Sequence, residues 1–168
     1  MIFGYDNHFG KNREGSPIFI QRNYADSIKA VVVNEQILDQ EVISSTRLKR
    51  HIENGEVDLA NKCMGYDFSI SSEVVHGNAL GRTIGFPTAN MNLSGNLKVL
   101  PETGVYLTKS TVIINDIIIS RHGITNVGYR PTIQNTPTLS IETNIFDFDS
   151  DIYGYEITTN FIKKFVQK

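Results

Sequence analysis

The sequence predicts a mainly β protein, an antiparallel barrel or sandwich preceded by a shorter segment of mixed helices and strands. Two observations favour this class. After about residue 65 the chain consists of short runs of alternating apolar and polar residues separated by turn residues, the pattern of half-buried strands. Before that point it combines a strand-like run with segments of helical periodicity. Little helix lies between the later runs, which favours an antiparallel architecture.

Residues 1–65 are expected to hold one clear strand and two short helices. The strand is AVVV at residues 30–33. The first helix is predicted within SSTRLKRHIENG, because Ser44 or Ser45 can cap its start and Gly55 can end it. The second is EVDLANKCMG, whose apolar residues share one face: Val57, Ala60 and Met64.

Six strand-like runs follow these helices. They are residues 68–75, 105–112, 114–120, 123–127, 139–148 and 155–161. The pair Asn115-Asp116 predicts a hairpin turn within VIINDIII. In the fifth run the alternation slips near Thr143 and Asn144, which predicts an irregularity in that strand.

Composition excludes several classes of protein. The 168 residues are 40% hydrophobic and 20% charged, which is typical of a globular domain. A formal net charge of −2 argues against a dedicated nucleic-acid binder and against a membrane-surface protein. Cys63 is the single cysteine, so an internal disulfide and a cysteine-based zinc site are excluded. No signal peptide or apolar run of spanning length is present, and a cytoplasmic location is expected.

The segment HGNALGRTIGFPTAN, residues 76–90, is the first candidate for chemistry. Its three glycines allow backbone amides to approach an anion: Gly77, Gly81 and Gly85. The guanidinium group of Arg82 adds hydrogen-bond donors. Thr88 and Asn90 alternate along an extended stretch, so both can face one side as neutral oxygen ligands of Mg²⁺. The alternative is a Gly-rich hairpin loop with these two residues in turn positions.

Glu142 is the second candidate. It stands in the middle of the apolar run TLSIETNIF, where a carboxylate is costly to bury unless it has a partner or a role. Beside Thr88 and Asn90 it could accept a proton from a substrate hydroxyl. The alternative is a glutamate that faces solvent on a half-exposed strand.

Three further patterns were weaker. DFDSDIYG resembles a calcium loop, but Ile152 and Thr158 stand where glycine and glutamate belong, which favours a charged hairpin turn. SSTRLKR joins basic residues to a helix start, as anion sites do, although the residues alone favour a solvated basic face. The histidines lack metal-ligand spacing: His8, His51, His76 and His122.

Together these segments resemble the bifunctional bacterial riboflavin kinase/FMN adenylyltransferase (FAD synthetase) family. In chain order the matching segments are FGYDNHFGKNREG, ISSTRLKRHIENGEVDLANKCMGY, VVHGNALGRTIGFPTAN, GVY, NVGYRPT, IETNIFDFDSDIYG and EITTNFIKKF. The resemblance implies a six-stranded antiparallel Greek-key barrel of the riboflavin kinase type for residues 66–168. For residues 1–65 it implies a truncated adenylyltransferase remnant, a partial α/β nucleotidyltransferase segment with connector helices.

The resemblance also implies roles for individual residues. Glu142 falls on the catalytic base, and Thr88 and Asn90 fall on the ligands of Mg²⁺-ATP. The implied nucleotide-binding residues are Gly77, Gly81, Arg82, Thr88, Asn90 and Tyr153. The implied flavin-binding residues, in a second mobile loop, are Asn126, Gly128, Tyr129 and Arg130. A remnant anion site is implied at Ser44, Ser45, Thr46 and Arg47.

The implied function is riboflavin kinase, which transfers the ATP γ-phosphoryl group to the riboflavin 5′-hydroxyl and gives FMN and ADP. ATP, Mg²⁺ and riboflavin are the expected partners, without nucleic acid or membrane. FAD synthesis is not expected, because no H-x-G-H-type motif is present. The family usually has a further C-terminal helix beside the flavin, so ending at Lys168 is expected to weaken riboflavin binding, and Asn144 replaces a frequent histidine. The alternative is a non-catalytic flavin- or nucleotide-binding fragment that self-associates through the incomplete N-terminal segment.

Overall fold

The computed structural model describes residues 1–77, 86–94, 99–130 and 138–165. The chain divides into two compact units, residues 1–44 and 45–168. The first unit is small, and the second contains two helices and a barrel.

A short strand–helix–strand arrangement forms the first unit. Its elements are β1 (Ile2–Gly4), α1 (Pro17–Asn23), β2 (Val31–Val33), β3 (Ile37–Leu38) and β4 (Glu41–Val42). Strands β1 and β2 pair in parallel, and β3 and β4 form a hairpin. Helix α1 begins where Ser16 accepts a hydrogen bond from the Phe19 amide at 3.1 Å and proline follows at the first helical position. The strand predicted from AVVV is present as β2.

Two helices open the second unit, α2 (Ser45–Glu53) and α3 (Val57–Met64). Gly65, with φ 77°, ends α3 and donates its N–H to the Asn61 carbonyl at 2.8 Å. The buried residues of α3 are Val57, Ala60 and Cys63. Met64, predicted for that face, is partly buried and packs against the core cluster that contains Val57 and Ala60.

The side chain of Asn61 fastens α3 to the barrel. Its oxygen accepts the Phe68 amide N–H at 2.7 Å, and its nitrogen donates to the Phe161 carbonyl at 2.8 Å. Both helices, which the sequence analysis placed with residues 1–65, therefore belong to the same compact unit as the barrel. Within the described ranges, no helix is long and apolar enough to cross a membrane.

Six antiparallel strands of the described residues close into a barrel. They are β5 (Ser69–Val75), β6 (Ala89–Met91), β7 (Gly104–Ile114), β8 (Ile117–Arg130), β9 (Thr138–Ile145) and β10 (Glu156–Lys164). The order around the barrel is β10-β5-β6-β9-β8-β7. Strands β7 to β9 are joined by consecutive pairings and β10 returns beside β7, which is a Greek key. The predicted barrel is confirmed.

The hairpin between β7 and β8 lies where the sequence predicted it. Asn115 and Asp116 have φ of 48° and 63°, the positive values that a tight two-residue hairpin turn requires. The separate strands predicted at residues 114–120 and 123–127 were wrong, because residue 114 ends β7 and β8 runs from Ile117 past residue 127 without a break. The polar residues between them, Arg121 and His122, are exposed positions of one strand.

Two other strand predictions also differ from the structure. Strand β9 ends at Ile145 rather than at residue 148, and its pairing with β8 stays in register through Thr143 and Asn144. The apolar alternation is interrupted at Thr143 because this polar residue, and not an apolar one, occupies the inward-facing position of the strand. Strand β6 was not among the predicted runs, since only three residues form it.

Hydroxyl groups cross the barrel interior in a chain. Thr108, Thr125 and Thr143 are fully buried, and their hydroxyl oxygens lie 2.8 Å apart in each successive pair. Each hydroxyl can donate to one neighbour and accept from another, so burial leaves these groups satisfied. These hydrogen-bonded hydroxyl groups connect β7, β8 and β9 inside the barrel, and the last of them belongs to Thr143, which directly follows Glu142 on β9.

Tyr106 makes the stability of the barrel sensitive to alkaline pH. Burial, assisted by the Glu102 carboxylate, raises the pKa of Tyr106 to about 12, and its hydroxyl donates to the Glu102 carbonyl at 2.5 Å. The unfolded chain loses this proton near the ordinary tyrosine pKa of 10.0. The stabilisation is therefore complete below that pH and is lost as pH rises towards about 12.

We expect the free energy of unfolding to fall more between about pH 9 and about pH 11.5 in the unsubstituted chain than in Tyr106→Phe, which has no proton to lose. Urea unfolding at both pH values measures this. The same fall in both proteins would show that Tyr106 does not contribute.

Candidate functional site

Three polar side chains form a row across neighbouring strands. In register, Asn90 of β6 lies opposite Glu142 of β9, and Glu142 lies opposite Asn126 of β8. Directly opposed residues of antiparallel strands point to the same face, with Cα atoms about 4.5–5.5 Å apart. The next row, which includes Thr143 and Thr125, faces the interior, so this row lies on the outer face. A carboxylate therefore stands between two amide side chains.

Thr88 contacts the central carboxylate of this row. Its hydroxyl donates to Glu142 Oε2 at 3.4 Å, and the Asn90 side-chain nitrogen donates to the Thr88 carbonyl at 3.4 Å. Glu142 is half-buried. The structure thus brings Glu142 together with Thr88 and Asn90, although Glu142 lies more than fifty residues from both in the chain.

Gly77 covers Asn90. A Cβ at residue 77 would overlap the amide group of Asn90, so only glycine allows the backbone to pass this closely. Asn90 is 5% exposed although it lies on the outer face of the barrel. The backbone at Gly77 therefore fixes the position of the Asn90 amide.

A cavity of about 80 Å³ adjoins Thr88 and Asn90. The segment between β9 and β10 forms its other wall with the side chains of Phe148, Asp149, Ser150, Asp151, Ile152 and Tyr153. This is the segment that the sequence predicted to be a charged turn. Its apolar and aromatic side chains line the cavity together with polar groups, as in small-molecule sites.

A larger cavity of about 880 Å³ borders Asn126, the residue of β8 that lies opposite Glu142. It reaches Val105 and Asn126 on β7 and β8, and Lys163, Lys164 and Phe165 at the end of the described chain. Lys164 is held there by an ion pair with Glu102 at 2.6 Å. The two residues that lie opposite Glu142 therefore border different cavities, Asn90 the smaller one and Asn126 the larger one, and Glu142 itself lines neither.

A sequence model of the riboflavin kinase (flavokinase) family matches residues 64–167 of this chain. The chain belongs to the riboflavin kinase family. The match covers all six strands of the barrel, and it confirms the family predicted from the sequence.

Curated relatives agree with this membership. Proteins named bifunctional riboflavin kinase/FMN adenylyltransferase from Listeria monocytogenes, Bacillus subtilis and Haemophilus influenzae are 36%, 34% and 37% identical over 93%, 97% and 98% of this chain. The alignments cover 48%, 51% and 52% of those proteins, so the chain spans about half the length of the curated relatives it matches. A solved structure named as a macrolide-efflux protein from Streptococcus pneumoniae has a TM-score of 0.79 at 30% identity, covering 98% of this chain and 52% of its own.

The residues predicted to bind flavin lie in a strand and not in a loop. Asn126, Gly128, Tyr129 and Arg130 lie in the last five residues of β8 and pair with β9, because the strand continues three residues beyond the run 123–127 that predicted it. Tyr129 is 64% exposed. Residues 131–137, which follow β8, lie outside the described residues.

Other predicted positions are distributed as follows. Gly81 and Arg82 lie outside the described residues. Tyr153 lines the smaller cavity. Helix α2 begins at Ser45, with the side chains of Ser44 to Thr46 exposed and that of Arg47 partly buried. The anion site predicted around these four residues stays a prediction.

Asn144 is a site residue that sequence reasoning missed, except as a departure from the riboflavin kinase family pattern. Its side-chain nitrogen donates to the Pro87 carbonyl at 2.8 Å. This bond ties the residue before Thr88 to β9, two positions along from Glu142 on the same face. Strand alternation from Glu142 was the signal that could have found it.

We expect Asn144→Ala to raise the KM for Mg²⁺-ATP about 3- to 10-fold, because Thr88 loses the bond that holds its segment against β9. Steady-state kinetics with varied ATP measures it. Asn144→His restores a ring N–H donor and should recover much of the loss. Equal KM values in all three proteins would contradict this role.

Proposed function

We propose that this chain is an ATP-dependent riboflavin kinase of the cytoplasm that converts riboflavin and ATP to FMN and ADP. The row Asn90–Glu142–Asn126 carries the proposal. A phosphoryl-transfer site needs a group that accepts the hydroxyl proton between the phosphate donor and the alcohol. Glu142 is paired with Asn90, which lines the smaller cavity, and with Asn126, which lines the larger one. The family match supports the assignment of substrates.

The nucleotide belongs on the β6 side of Glu142 in this proposal. Thr88 Oγ1 and Asn90 Oδ1 would hold Mg²⁺, since the Asn90 nitrogen is committed to the Thr88 carbonyl. Neutral oxygen ligands suit an ion that takes most of its coordination from phosphate and water. The bound Mg²⁺ would neutralise charge on the β- and γ-phosphates. The burial of Asn90 under Gly77 supports a preformed ligand position.

The flavin belongs on the β8 side. Asn126 borders the larger cavity, and the other predicted flavin residues continue along β8 from it: Gly128, Tyr129 and Arg130. Val105 and Phe165 add apolar surface suited to an aromatic ring system. A flavin there would place its ribityl chain towards Glu142.

Glu142 would accept the proton of the 5′-hydroxyl at a distance of about 2.6–3.2 Å as that oxygen attacks the γ-phosphorus. The bond from Thr88 restrains the carboxylate. Positioning and fixed charges would supply most of the rate enhancement, as in other phosphoryl transfers.

Riboflavin-dependent release of ADP from Mg²⁺-ATP tests the proposal. We expect FMN and ADP to form in equal amounts, and no FAD from FMN plus ATP. The alternative is a non-catalytic binding fragment, which would give a saturable change in flavin fluorescence and no ADP. That result would contradict kinase activity.

We further propose that residues 1–65 derive from the adenylyltransferase half of the bifunctional relatives, since the alignments extend over 93–98% of the chain.

The first unit exposes apolar side chains on and beside its small sheet: Ile2 76%, Val31 46%, Val33 49% and Ile37 62%. Exposed apolar strands favour association between copies. Light scattering should show a mass that rises with concentration and falls in Val31→Lys/Val33→Lys; a monomer throughout would contradict this.

A further inference from the structure

His76 stacks on Tyr153, a residue that lines the smaller cavity. Their ring centroids lie 3.7 Å apart with an interplanar angle of 27°. The backbone holds the two residues opposite each other, because Gly154 donates to the Val74 carbonyl and Val74 donates to the Tyr155 carbonyl, both at 2.9 Å. The Tyr153 amide also donates to the Asp151 side chain at 3.1 Å. The stack therefore joins the end of β5 to the segment that precedes β10.

The two partners of this stack reach different parts of the site. Tyr153 lines the cavity whose opposite wall is Thr88 and Asn90. His76 precedes Gly77, which packs directly on the Asn90 amide. His76 itself is exposed and contributes no atom to the cavity wall. Its ring thus links the aromatic wall of the cavity to the backbone that covers the proposed metal ligand.

We propose that His76 is a positioning residue for the nucleotide, which holds the Tyr153 ring in its wall position and the Gly77 backbone over Asn90. The inference rests on the proposed kinase function, because it assumes that a nucleotide occupies this cavity. A side chain that is fixed before binding loses less entropy when the ligand arrives. The stack therefore favours nucleotide affinity and leaves the proton transfer at Glu142 unchanged.

Removal of the imidazole should lower affinity without slowing turnover. We expect His76→Ala to raise the KM for Mg²⁺-ATP about 3- to 10-fold, because the Tyr153 side chain must then be ordered when the nucleotide binds. The kcat should stay within about twofold of that of the unsubstituted chain. His76→Phe keeps a flat ring over Tyr153 and should restore KM. His122→Ala, at an exposed histidine of β8 that borders neither cavity, is the matched control.

Calorimetric titration with Mg²⁺-ADP in the absence of riboflavin gives a second readout that does not depend on turnover. The affinity should fall by the same factor in His76→Ala. In a Tyr153→Leu background the same substitution should have little further effect, because the stack is already lost. Thermal unfolding of each variant verifies that the barrel is intact.

The outcomes separate the two proposals. Unchanged Mg²⁺-ADP affinity in His76→Ala would overturn the role of His76 and leave kinase function in place. An equal loss in His76→Phe would assign the effect to an imidazole nitrogen and contradict stacking. Failure of the unsubstituted chain to bind Mg²⁺-ADP would overturn the proposed function, and this inference with it.

Discussion

Glu142→Gln should lower kcat for riboflavin phosphorylation by about 10²-fold or more, because the amide cannot accept the proton of the attacking hydroxyl. The substitution keeps the size of the side chain and an oxygen that can still accept the hydrogen bond of Thr88. The geometry around Thr88 and Asn90 is therefore retained. Single-turnover formation of FMN from saturating Mg²⁺-ATP and riboflavin measures the chemical step.

Binding should survive this substitution. We expect the affinity for Mg²⁺-ADP, measured by calorimetry, to change less than about threefold, since Glu142 loses only its charge. Glu73→Gln is the matched control, because Glu73 is an exposed glutamate of β5 that borders neither cavity. A Glu142→Gln variant that turns over at the unsubstituted rate would remove the carboxylate from the mechanism.

Asn90→Ala should weaken Mg²⁺-nucleotide binding by about tenfold or more. The variant loses the proposed ligand oxygen and also the amide that bonds to the Thr88 carbonyl, so two features of the metal site disappear together. The KM for Mg²⁺-ATP should rise with the calorimetric dissociation constant. The KM for riboflavin should change little, because the flavin lies on the other side of Glu142 in our proposal.

Asn92→Ala controls for removal of a nearby amide. Asn92 follows β6, and its side chain accepts only a local hydrogen bond from the Ser94 amide at 3.0 Å among those described. A second variant, Asn90→Asp, retains an oxygen ligand and should bind more tightly than Asn90→Ala in Mg²⁺. Equal Mg²⁺ dependence in Asn90→Ala and the unsubstituted chain would contradict the ligand assignment.

Local features of the fold could be predicted from the sequence because short-range physics determines them. The turn at Asn115-Asp116 follows from two residues that tolerate positive φ. Helix α3 ends at Gly65 for a similar reason. Alternation located most of the barrel strands. It failed where exposed polar residues interrupt a continuous strand, as in β8, and where a strand is only three residues long, as in β6.

Features that depend on pairing between distant strands could not be predicted from residue patterns alone. Sequence patterns proposed Thr88, Asn90 and Glu142 as candidate site residues. Their proximity depends on the pairing of β6 with β9, which no local pattern encodes. Asn126 enters the row only because β8 pairs on the other side of β9. The bond from Asn144 to Pro87 and the stack of His76 on Tyr153 are likewise contacts between distant segments.

The most direct test is a crystal structure of this chain with Mg²⁺-ADP and riboflavin bound. Our account predicts Mg²⁺ within ligand distance of Thr88 Oγ1 and Asn90 Oδ1, roughly 2.0–2.1 Å. It also predicts the riboflavin 5′-hydroxyl within about 3.2 Å of a Glu142 oxygen, on the Asn126 side. A nucleotide bound elsewhere, or a 5′-hydroxyl out of reach of Glu142, would contradict it.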